Sequence, residues 1–166
     1  MPNRLTTTLP VATMRLLFQA FPCVLLAACL TGPKCVSRPS NPATETFAPS
    51  LGVNLDQMAV TQLGDYEQDL VVGTGARLST LGAVEMHYSA YLVDGTLIDQ
   101  VTDRVFSIDL STKATIGLAD GMLGMYVGGQ RLIVVPSQLA LGACENGPVP
   151  GNSTIVYKVE LLSIAN

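Results

Sequence analysis

The stretch AVEMHYSAYLVDGTLID, residues 83–99, constrains this chain more than any other. Val84, Met86, Tyr88, Ala90 and Leu92 fall on one face of it, Glu85, His87 and Ser89 on the other. A period of two belongs to a half-buried strand, and Asp94-Gly95 is a dipeptide that closes a tight antiparallel hairpin. Other segments read the same way. EQDLVVGTG is a strand ending in a glycine turn, FSIDL a third short strand, and RLIVVP a fourth, rich in β-branched residues and therefore buried. STIVYKVELLSI sets Ile155, Tyr157, Val159 and Leu161 against Val156, Lys158 and Glu160. Leu118 to Tyr126 is the one plausible core helix, with Gly128-Gly129 as its stop. The fold class expected is a strand-rich α+β domain with one short helix.

A length of 166 residues suits one domain with a real core. The net charge of -4 argues against nucleic acid, whose binders cluster Lys and Arg. A mean hydropathy of +0.39 is high for a soluble domain, and the excess sits largely at the N-terminus. There MRLLFQAFPCVLLAAC offers Arg15 as a positive start and an apolar run from Leu16 to Ala28. It closes on Leu26-Ala27-Ala28-Cys29, which matches the bacterial lipobox pattern. The expectation is a signal peptide over 1–28, with Met14 as an alternative start, and a mature chain acylated at Cys29. Leu30 stands where an inner-membrane retention aspartate would, which points to the outer membrane in an organism that has one. Residues 29–55, rich in Pro, Ser and Thr, read as a flexible linker that carries the domain 56–166 clear of the bilayer. Cys35 and Cys144 remain after the signal. An exported chain permits a disulfide between them, while their separation favours two independent thiols.

DGMLGMYVGGQRLIVVP, residues 120–136, raises the question of a phosphate-binding loop. A P-loop needs GxxxxGK followed by Ser or Thr between a strand and a helix N-terminus. Here the glycines lie within and just after the expected helix, and no lysine follows. Gly73-Thr74-Gly75 lacks both the third glycine and the helix of a dinucleotide fingerprint. With no CxxC pair and His87 as the single histidine, neither a metal site nor a cofactor is expected. His87 points away from Tyr88 by the period-two rule, and Met122 and Met125 read as core packing.

Taken in order, DLVVGTG, HYSAYLVDGTLID, DGMLGMYVGGQRLIVVP, LALG and VPGNSTIVYKVELLSI resemble an FKBP-type peptidyl-prolyl isomerase domain, from about Tyr66 to Ile164. The resemblance implies a strongly bent antiparallel sheet wrapped around one short helix, with a proline pocket between them. Carried over position by position, it makes Tyr88, Asp99, Phe106, Ile116 and Tyr157 the catalytic set. Asp99 would orient the Tyr88 hydroxyl, Arg104 would pair with Asp99, and the Ile116 N–H would bond substrate. Ile98, Arg104, Leu118, Leu141 and Val149 would bind substrate around them. Three positions depart in kind: Ile98 replaces a usual phenylalanine, Leu118 a tryptophan and Leu141 a tyrosine.

The implied reaction needs no nucleophile. The X-Pro amide resists rotation by about 18–20 kcal/mol because of its partial double bond. An apolar pocket disfavours the planar, polar amide relative to the twisted one, which is catalysis by differential binding. Proline-containing polypeptides would be the clients, at the cell envelope. The alternative is a weakly active or inactive binding module or chaperone of the same fold, tethered to the membrane.

Overall fold

The computed structural model describes residues 34–107 and 113–165, with side chains except at 103–107 and 113–115. The expected signal segment and Cys29 therefore lie outside the described residues. Six strands and a helix follow in order: β1 Ala59–Val60, β2 Tyr66–Val71, β3 Ala83–Leu92, β4 Leu97–Ser107, α1 Lys113–Met122, β5 Gln130–Val135 and β6 Ile155–Ile164. The strands form one open antiparallel sheet in the order β1-β2-β5-β6-β3-β4. This is the α+β architecture expected.

The β3–β4 hairpin turns where the sequence places it. Gly95 has φ 90°, a backbone conformation glycine adopts without penalty. The Thr96 N–H donates to the Asp94 carboxylate at 2.9 Å, which fixes the turn. FSIDL, by contrast, does not start a separate strand. Phe106 and Ser107 complete the long β4, paired with Val84 and Ala83, and Ile108 to Leu110 lie outside the described residues.

The helix also differs from expectation. It runs Lys113–Met122 and ends well before Tyr126. The stop is Gly124, at φ 86°, and not Gly128-Gly129. Two glycines inside the helix answer the question raised by their segment. A Cβ at Gly117 would run into Val135, and one at Gly121 into Ile133, so both permit close contact between α1 and β5. The freed carbonyls of the last turn are taken by a side chain from that sheet. Arg131, 5% exposed, donates from Nη1 to the carbonyls of Gly121 at 2.9 Å and Leu123 at 3.0 Å. The same guanidinium meets Glu67 at 2.8 Å and Asp69 at 2.7 Å on β2.

Apolar side chains cover both faces of the central strands. Ile133 and Val135 of β5 join Val84, Met86, Ala90, Leu118, Met122 and Met125 in the core between sheet and helix. Leu132 and Val134, with Val156, face the opposite way and pack with Leu51 and Met58. A strand buried on both faces has no use for alternation, which is why RLIVV reads as a continuous apolar run.

That second cluster corrects the reading of residues 29–55 as a flexible linker. From Lys34 the chain is bound to the domain. Phe47, Ala48, Val53 and Leu55 pack on the outer cluster, and short 3-10 turns begin at Pro42 and Pro49. Ser40 and Ser137 exchange hydrogen bonds at 2.8 and 3.0 Å. Cys35 and Cys144 form a disulfide, where two separate thiols were favoured. Around it Val36 N–H donates to Ala143 and Glu145 N–H to Lys34, and the Asn152 amide donates to the carbonyls of Val36 and Arg38. Compositional bias misled here because four well-spaced apolar residues suffice to cover a sheet face. The cross-link closes an interval of 109 residues, so its loss releases a large denatured-state entropy. Cys35→Ser with Cys144→Ser is expected to lower stability by about 2–4 kcal/mol. Urea denaturation of oxidised protein and double variant checks this, and equal midpoints would refute it.

Candidate functional site

Period-two geometry delivers the two tyrosines. Tyr88 lies opposite Val101 on β4 and Val159 on β6, while Tyr157 pairs with Ala90 and Ile133. Both therefore project to the helix side of the sheet, where the rings meet edge to face at 6.0 Å between centroids. The Tyr88 hydroxyl donates to Asp99 Oδ2 at 2.5 Å. Asp99 is exposed, and its other oxygen accepts from the Gln100 N–H at 2.9 Å. The carboxylate thus holds a phenol at the rim of an apolar cluster and leaves the deeper Tyr157 to the core.

Tyr157 is 8% exposed. Burial, then the Asp99 and Asp65 carboxyls, push its phenol up to about 12, so it stays a neutral hydrogen-bond donor across the physiological range. Around the tyrosines, Leu118 from α1 and Val149 from the loop before β6 are buried in the same cluster. Ile98 and Leu141 are partly buried against it. Ile116 is half-buried on α1. Arg104 and Phe106 lie on β4 opposite Met86 and Val84, and their side chains are outside the described residues. Seven of the ten positions singled out in the sequence, Asp99 included, therefore converge on one cluster of side chains. His87 faces the other way, 3.4 Å from Glu160, and Met122 and Met125 are core.

Leu141 and Val149 belong to the loop that the disulfide and Asn152 stitch to residues 34–38. One wall of the cluster is therefore braced covalently by the N-terminal arm. No motif in the sequence signals this, because Cys35 lies 109 residues before Cys144 and the arm's carbonyls that Asn152 reaches carry no side-chain signature.

A second feature was also missed. Asp65, in the turn before β2, is fully buried beneath the helix. Neither carboxyl oxygen has a hydrogen-bond partner among the described residues. A Cβ on Gly117 would stand 3.1 Å from its Oδ1, which places the carboxyl against α1. Burial, then Asp120 and Glu67, raise its pKa to about 8.

The model for FKBP-type peptidyl-prolyl cis-trans isomerases matches residues 75–162. An FKBP-type peptidyl-prolyl cis-trans isomerase FkpA from Aeromonas hydrophila is 35% identical over 105 residues, covering 63% of this chain and 39% of its own. Peptidyl-prolyl cis-trans isomerase FKBP2 of Mus musculus is 34% identical over 125 residues, covering 69% of this chain and 89% of its own. The chain belongs to the FKBP family. A crystal structure of a peptidyl-prolyl cis-trans isomerase from Pseudomonas syringae superposes with a TM-score of 0.59 at 25% identity, covering 66% of this chain and 82% of that one. Among curated relatives the shared length varies, and the chain spans about two fifths of the Aeromonas protein.

Proposed function

We propose that this FKBP-family domain is a peptidyl-prolyl cis-trans isomerase acting on exported polypeptides. The observation that carries the reading is the convergence of Tyr88, Ile98, Leu118, Leu141, Val149 and Tyr157 on one apolar cluster, with Asp99 holding the Tyr88 hydroxyl. A proline ring seated there leaves water. Its amide loses the solvation that favours the planar form, and rotation becomes easier. Tyr88 and the Ile116 N–H fix the flanking carbonyls. No proton is transferred, so kcat/KM of the folded protein is expected to stay flat between about pH 5 and 8. Acylation at Cys29 would hold the domain at the cell envelope, close to emerging clients.

The aliphatic residues at Ile98, Leu118 and Leu141 favour a second reading, a tethered binding module or chaperone with little turnover. Aromatic contacts are worth about 0.5–1.5 kcal/mol beyond burial, and one kcal/mol is about fivefold in rate. Leu118→Trp with Leu141→Tyr is therefore expected to raise kcat/KM about fivefold or more on an X-Pro peptide, measured by NMR exchange. Activity in neither version would favour the binding module, and a bell-shaped pH profile would refute the desolvation mechanism.

A further inference from the structure

We propose that a second cavity, on the hairpin end of the sheet, binds an ammonium or guanidinium group. The cavity has a volume of about 300 Å³ and lies between the β3–β4 turn, residues 150–154 and the N-terminal arm. Leu92 and Pro150 supply apolar wall, and Glu45 enters from the arm. The polar lining can be accounted for group by group. The Asn152 amide is committed to the carbonyls of Val36 and Arg38. The Ser153 hydroxyl donates to the Pro150 carbonyl at 2.8 Å, and Asp94 accepts from Thr96 at 2.9 Å. Two groups are left over. Glu45 Oε2 and Thr154 Oγ1 are buried, and neither has a hydrogen-bond partner among the described residues. Thr154 is 1% exposed, so its hydroxyl cannot turn to solvent.

A buried polar atom without a partner costs about 1–3 kcal/mol, and more when charged. Both residues line the one cavity, and the two unpartnered atoms are explained if a ligand drawn into it supplies the missing partners. The charge selects its kind. The lining holds two carboxylates, Glu45 and Asp94, and no basic residue, so an anion is repelled and a cation drawn in. The carboxylate only accepts hydrogen bonds and the hydroxyl can accept one, so a ligand that donates satisfies both. Among the described residues no group of three His, Cys, Asp or Glu is placed to hold a metal ion, which leaves N–H donors. The volume fits the end of a lysine or arginine side chain and its apolar stem, with Leu92 and Pro150 beside the stem.

This site is independent of the isomerase reading, and its test is kept separate from turnover. Amide NMR spectra of the oxidised protein are followed during titration with three probes: Ac-Gly-Arg-Gly-NH2, Ac-Gly-Met-Gly-NH2 and n-butylammonium. Saturable shifts at Ser153 and Thr154 are expected with the arginyl peptide and absent with the methionyl one. Glu45→Gln should weaken binding tenfold or more and Thr154→Val several-fold, with the remaining spectrum unchanged as the check on folding. Equal binding of butylammonium would show that an ammonium head on a short apolar stem suffices. Binding of the arginyl peptide alone would assign the site to a guanidinium group. No saturable shift with either cation, or shifts that persist undiminished in folded Glu45→Gln, would overturn the proposal.

Discussion

Replacing Arg131 with methionine is expected to lower the stability of the fold by about 3 kcal/mol, the low end of the cost of breaking a buried ion pair from one side, because Glu67 and Asp69 keep part of their access to water. The guanidinium is almost fully buried and serves four acceptors at once: Glu67, Asp69 and the carbonyls of Gly121 and Leu123. Methionine fills much of the same volume but donates nothing. Two carboxylates are then left side by side on one face of β2, and the end of α1 loses its cap. Glu67 already carries the cost of this site, because burial raises its pKa despite the attraction of Arg131. Arg131→Lys should recover only part of the loss, since an ammonium is a point charge without the planar fork that reaches four acceptors. Adding Glu67→Gln to the methionine variant should restore some stability by removing one stranded charge. Denaturant midpoints decide the matter, and a change below about 1 kcal/mol would show that the network is not what joins helix to sheet.

Asp65→Asn is expected to stabilise the protein increasingly as pH rises, by on the order of a few kcal/mol at pH 8. The wild-type carboxyl keeps its proton in the fold up to about pH 8 but loses it near 3.8 in the unfolded chain. Between those values the folded state binds more protons than the unfolded one, so stability falls as pH increases. The slope is at most about 1.4 kcal/mol per pH unit, and it ends above pH 8, where both states are ionised. Asparagine cannot ionise, so the variant lacks this slope. Glu67 has a pKa shift of the same sign and remains in both proteins, which is why the difference between them is the quantity to measure. Thermal unfolding at pH 5 and pH 8 suffices. Parallel curves for wild type and Asp65→Asn would mean that the carboxyl is already paired or hydrated in solution.

What could be read in advance was whatever a strand's period encodes. Val84 to Leu92 and Ile155 to Leu161 declare their faces by alternation, so Tyr88 and Tyr157 each read as lying on the apolar face of its strand. Asp94-Gly95 declares its turn, and the unbroken RLIVV declares a strand between two layers. The limits of α1 were obscured because the glycines at 117, 121 and 124 look alike in sequence but act differently. The first two permit close packing on β5, and the third ends the helix. Asp65 was illegible for another reason. A carboxylate in LGDYEQDL reads as surface by every compositional rule, and only the approach of α1 makes it interior. The arm from Lys34 onward was hidden by its prolines and serines, although Phe47, Leu51, Val53 and Leu55 carry the apolar signal that docks it.

The bond between Cys35 and Cys144 also sets how the molecule bears load. A pull on the chain ahead of Lys34 passes through the two sulfurs into the loop before β6, and β1 to β5 lie within a closed ring spanning 109 residues. While the bond is intact, that ring cannot be drawn out to its full length, and only the chain beyond Cys144 can extend freely. The strand loaded first is then β6, which runs in register between β3 and β5, so that force shears two ladders of hydrogen bonds together.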